Sequence, residues 1–209
     1  MTKQALPGAL PLDFPSRRMV LAGPPAMTAA SSIAASTNQY GIAGTFVHKD
    51  GPGASKNITS IGFLAGAIVS AGGTTLKAGV QGIAAGNTII QRPNGTYINS
   101  GNAFGTSLLS ALTASAWNSI SITSSALTVG TKTGVMFEFT GYGGADSFIL
   151  QGTSGSGVTA IYDDGPLLRN TGSFAALTVM GNIVLGCDDG SYGRSEEHTS
   201  ELQSRSAIS

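Results

Sequence analysis

Between Tyr40 and Cys187, apolar side chains recur at every second position, and each run is soon cut by glycine, asparagine or aspartate. A period of two sends successive side chains to opposite faces of an extended chain, so each run specifies a strand with one face in a core. Tyr40, Ile42, Gly44 and Phe46 share a face in the first run, which Lys49-Asp50-Gly51-Pro52-Gly53 ends. Ile61, Phe63 and Ala65 share a face in the second, running to about Val69, and Ala71-Gly72-Gly73 makes the turn. In the third, Leu76, Ala78 and Val80 alternate with Lys77, Gly79 and Gln81. Ile120 and Ile122 alternate with Ser119, Ser121 and Thr123; Val135, Phe137 and Phe139 alternate with Met136, Glu138 and Thr140. Ser147–Gln151, Val158–Tyr162, Ala175–Met180 and Asn182–Cys187 follow, bounded by turn residues. Many short strands at close spacing, with no long helices alternating between them, predict an all-β fold: an antiparallel β-sandwich, jelly-roll-like.

Other stretches break the pattern. Residues 1–36 hold five prolines and an Ala/Ser run without a sustained period, and are expected to form an irregular arm or linker. Arg92-Pro93-Asn94-Gly95-Thr96 predicts a turn. Gly105–Ala116 is the best helix candidate, with a tight loop as the alternative. The last sixteen residues stand apart. Arg194 to Ser204 reads RSEEHTSELQS, which resembles a translated sequencing adapter of the Illumina type, and Ile208-Ser209 fits the constant segment after the adapter's index. Residues 194–209 are therefore expected to be a non-native tail with no part in the fold. The chain is expected to be a truncated metagenomic fragment, with a sandwich domain at 37–193 that lacks its C-terminal end.

Removing Arg194, Arg205, Glu196, Glu197 and Glu201 from eleven basic and eleven acidic residues leaves nine and eight. So sparse and balanced a charge favours neither nucleic acid nor an anionic membrane surface as a partner. No apolar run reaches the ~20 residues of a membrane span. Arg17-Arg18 precedes an apolar stretch that Pro24-Pro25 interrupts too early for an export signal. Cys187 is the only cysteine, so no intrachain disulfide can form.

From Gly51 to Asp146 the order of strands and turns resembles β-sandwich modules of bacteriophage virion and tail-appendage proteins. Asp50-Gly51 stands before an Ile58-x-x-Ile61-x-Phe63 strand. Leu76 to Ile83, Pro93 to Tyr97, Leu112 to Trp117, and Val129-Gly130 before the Val135–Phe139 strand complete the pattern. The likeness lies in pattern and spacing rather than in a signature motif, and covers about half of the chain ahead of the tail. It implies a part that presents a surface and assembles with copies of itself or other virion proteins, located in a virion or outside a cell.

Catalytic constellations are sparse. With His198 in the tail, His48 is the only other histidine, which excludes any site needing two imidazoles. A Ser-His-Asp triad would have to recruit His48, whose plain reading is a strand-end residue. Gly152 to Gly157 lacks the Lys-Ser/Thr of a phosphate loop. Glu138 is the one glutamate before the tail, and a two-carboxylate glycosidase would need a partner from the Asp loops. Asp163, Asp164, Asp188 and Asp189 are the Ca²⁺ candidates, although each Asp-Asp-Gly is already a good turn and turn chemistry alone explains it. No metal or cofactor is therefore expected. Trp117 is assigned to the core. Tyr97 and Tyr142, in or beside loops, are the candidate ligand-binding residues for a glycan. The expectation is a non-enzymatic structural or surface-presenting module; the alternative is a bacterial carbohydrate-binding accessory module or a fragment of a sandwich-fold glycan-active enzyme.

Overall fold

The computed structural model describes residues 29–36, 39–70, 72–84, 92–143, 145–154, 168–170, 174–176, 179–181 and 183–191. Two antiparallel sheets pack face to face, as the alternation predicts. The first sheet is built on β3 (Ser55–Val69). Its partners are β1 (Ala29–Ala34), β7 (Trp117–Thr128), β9 (Ser147–Ser154), β12 (Val179–Gly181) and β13 (Ile183–Cys187). The second runs in the order β11 (Phe174–Ala176), β10 (Leu168–Asn170), β2 (Gln39–Thr45), β8 (Lys132–Thr140), β4 (Thr75–Ile83) and β5 (Pro93–Tyr97). The strand β6 (Phe104–Leu108) shares β4's outer edge with β5.

Register locates each neighbour. Ile61 faces Leu185 on one side and Ile120 on the other, so β13 and β7 flank β3. Leu150 faces both Ser31 and Ala65, and Gly152 faces both Ala29 and Gly181. The strand β9 therefore carries β1 along one edge, and β3 followed by β12 along the other. Between Ile58 and Ser60 the β3–β7 register shifts, and the inward positions change parity on both strands. Ile58 precedes Ile61, Phe63 and Ala65 on β3; Ile120 and Ile122 precede Ser125 and Leu127 on β7. A bulge that adds residues to one strand bends it and resets which side chains point inward.

The core lies between the sheets. Phe63 and Phe148 come from the first, Phe137 and Phe139 from the second. Phe63 meets Phe137 edge-on at 5.4 Å between centroids, and Phe148 lies 5.6 Å from Phe63 and 6.1 Å from Phe139. These separations fall in the range where aromatic pairs add to simple burial. At one end the β2–β3 and β7–β8 connections bond to each other: Phe46 N–H donates to Thr131 at 2.9 Å, and Gly53 N–H to Val129 at 2.9 Å. On the opposite flank β6 approaches β7 so closely that a Cβ on Gly105 would collide with the Ser121 carbonyl.

Several expectations need correction. Ala29–Ala34, read as part of an irregular arm, is the sheet strand β1, and Ile33 is fully buried. Gly105–Ala116 is no helix: β6 leads into a single 3₁₀ turn at Leu109–Ala111. Cross-strand pairing with β4 overrides the weak helical pattern there. Pro93–Tyr97 is paired as the edge strand β5, although Gly95 keeps the positive φ expected of a turn. Trp117 is 50 % exposed. It shares the outward parity of Ser119 and Ser121, which its neighbour's isoleucines dictate. The expected strand at Val158–Tyr162 and the tail at 194–209 lie outside the described residues.

Candidate functional site

Among the described residues, the densest cluster of ionisable side chains closes the end of the sandwich where β2, β3 and β13 meet. His48 and Asp50 come from the β2–β3 connection, and Lys56 and Asn57 from the first residues of β3. Cys187 ends β13, and Asp188, Asp189 and Ser191 form the turn after it. The antiparallel pairing of β13 with β3 brings residues more than 130 positions apart into contact. Asn57 ties the turn down twice, accepting the Asp188 N–H at 3.0 Å and donating to its carboxylate at 2.8 Å. Lys56 bridges the carboxylates of Asp50 and Asp189, the latter at 2.8 Å. These hydrogen bonds hold the carboxyls of Asp50 and Asp189 below the usual range and raise the Lys56 ammonium above its own.

His48 is buried, with Nε2 2.7 Å from the Ser191 hydroxyl and Nδ1 3.5 Å from the Asp50 carboxylate. That outline matches a Ser-His-Asp triad, but the protons run the wrong way. The carboxylate of Asp189 can only accept, so the Ser191 hydroxyl donates to it. The hydroxyl's proton is then committed, and His48 Nε2–H must donate to Ser191. Nδ1 is left bare and accepts the Asp50 backbone N–H at 3.2 Å. An imidazole in this tautomer cannot take the serine proton, so the arrangement works as a latch. Burial, then the charge of Lys56, lowers the His48 pKa below its ordinary 6.5, against the opposing pull of Asp50 and Asp189. Burial raises the Cys187 thiol. His48, Cys187 and Asp189 each offer one metal-ligating atom, all within 4.8 Å of one another.

A second cluster covers the outer face of the second sheet. Glu138 accepts from Tyr97 Oη at 2.7 Å, Gln39 Nε2 at 2.5 Å and Lys77 Nζ at 3.2 Å. The Lys77 ammonium also lies over two rings, 4.3 Å from the centre of Tyr97 and 4.2 Å from that of Phe104. Glycine at position 79 makes room, since a Cβ there would run into the Tyr97 ring. Burial, followed by the bond to Glu138, pushes the Tyr97 phenol well above its usual value. The three neighbours bonded to Glu138 are all donors.

Of the residues singled out in the sequence, Tyr97 is 9 % exposed and tied to Glu138, and its ring packs on Phe104 rather than standing free. Tyr142 is half-buried against the core. Asp188 and Asp189 face Asn57, Lys56 and Ser191. Asp163 and Asp164 lie outside the described residues. Asp146 is buried and accepts from the Thr74 hydroxyl and the Gly143 N–H. Sequence reasoning missed Lys56, Cys187 and Ser191 as partners of His48. The available signal was a histidine and an Asp-Asp-Gly turn, each at a strand end. Comparison with protein-family models, with curated proteins and with solved structures gives no match.

Proposed function

We propose that this chain is a non-enzymatic, surface-presenting structural module of the kind built into phage-like virions or tail appendages, and that it works by packing against copies of itself or neighbouring virion proteins. The observation that carries this reading is how its clustered ionisable groups are used. His48, Asp50, Lys56 and Asp189 latch one end of the sandwich, and Lys77 and Glu138 pin β5 to the outer face. Reactive chemistry needs such groups held ready for a substrate, whereas here they are bonded to one another.

The outer face of the first sheet adds support. Along β7 it presents Ser119, Ser121 and Thr123, small and uncharged. Trp117 stands at one end of that row, opposite Leu64, and Val69 is 52 % exposed on the same sheet. A nearly neutral surface with an exposed aromatic anchor suits protein–protein packing.

Sedimentation of the chain tests the proposal. A defined oligomer that Trp117→Ser dissociates, with no binding on a glycan array, is the expected result. Glycan binding lost in Tyr142→Ala would replace it with the carbohydrate-binding alternative. Polysaccharide hydrolysis lost in Glu138→Gln would overturn the non-enzymatic reading.

A further inference from the structure

We propose that His48, Cys187 and Asp189 form a binding site for a thiophilic divalent cation, zinc being the ion whose preferences fit. One nitrogen, one sulfur and one carboxylate donor lie within 4.8 Å of one another. Ligands at Zn–S ≈ 2.3 Å and Zn–N or Zn–O ≈ 2.0–2.2 Å stand about 3.5 Å apart around a tetrahedral ion, so a small inward closure completes the triangle. A calcium ion, which takes six to eight oxygens, would find one carboxylate among these three ligands and two of the wrong type.

Two further features point to the same ion. The Ser191 hydroxyl bridges His48 Nε2 and the Asp189 carboxylate, and so occupies the space a cation would take. Rotating that one short side chain frees His48 Nε2, while Asp189 Oδ1 keeps the Ser191 backbone N–H at 2.9 Å and turns its remaining lone pair to the ion. Behind the imidazole, the Asp50 carboxylate stands 3.5 Å from Nδ1. When Nε2 binds a metal, Nδ1 carries the proton, and a carboxylate behind it fixes the ring and raises its basicity. Cys187 binds as the thiolate and releases its proton to solvent. Thiolate and carboxylate then neutralise the ion's two charges, and Lys56 keeps its pairing with Asp50. Water fills the fourth position. The metal would join the β2–β3 connection to the end of β13.

Titration of the whole chain with Co²⁺ tests this. The expected result is a thiolate-to-cobalt charge-transfer band in the near ultraviolet, saturating at equimolar metal and erased by Zn²⁺ but not by Ca²⁺. The band should vanish in Cys187→Ser, and Asp50→Asn should weaken binding roughly 10- to 100-fold. A folded wild-type chain without the band, or a band that survives Cys187→Ser, overturns the site. Should Cys187→Ser not fold, the wild type still decides: Cys187 is the only thiol, so Zn²⁺ must slow its alkylation under native conditions. Alkylation at an unchanged rate refutes the proposal.

Discussion

At His48, burial and the neighbouring Lys56 ammonium favour the neutral ring, while Asp50 and Asp189 pull the other way and lose. A histidine with a lowered folded-state pKa binds fewer protons folded than unfolded, so stability falls as pH drops through its ordinary 6.5. In metal-free buffer the thermal midpoint should be flat between about pH 7 and 8, decline from about pH 6.5 downward, and fall again above the ordinary thiol value of 9.0, where buried Cys187 keeps its proton only in the folded chain. His48→Gln should flatten the acid-side decline and leave the later one, below the ordinary carboxylate value of 3.8, where Asp50 and Asp189 lose their charges. Glycine gives an equally local test. At Gly105 the obstacle to a Cβ is the Ser121 backbone carbonyl, which cannot step aside as a flexible side chain would. Gly105→Ala should lower the urea midpoint by an amount equivalent to about 3 kcal/mol, the upper range for overpacking. Gly62→Ala, whose Cβ would meet neighbours at 3.7 Å, should cost less than about 1 kcal/mol.

Strand by strand, β7 shows the pattern of two in its burial, reset at the bulge, whereas β2 and β8, central in the second sheet and regularly paired, are buried on both faces. Ile61, Phe63 and Ala65 were readable as one face because no register shift falls among them. Ile58, equally buried, was hidden by the parity change between Ile58 and Ser60. The strand β1 was unreadable for a different reason. Its sequence, AASSIA, holds one large apolar residue, and its place depends on β9, whose partner residues begin at Ser147. Ile33→Ala should cost about 3 kcal/mol in urea unfolding with an unchanged m-value, as expected of a fully buried isoleucine. A cost near zero would return Ala29–Ala34 to the status of an arm. The latch shares this limit: nothing local to His48 announces Ser191, which reaches it only through the pairing of β13 with β3.

For the molecule as a whole, one cluster of buried side chains draws on both sheets, and the ionisable groups gather at its end and on its outer face. The central claim is that alternate side chains face inward, with parity reset at the bulge. Thiol labelling of single-cysteine substitutions along β7 tests it most directly, with buried Cys187 as the slow internal reference. Positions 119, 121, 123, 124, 126 and 128 should label rapidly, and 120, 122, 125 and 127 slowly. Uniform labelling, or a period near 3.6, would contradict the two-layer sandwich.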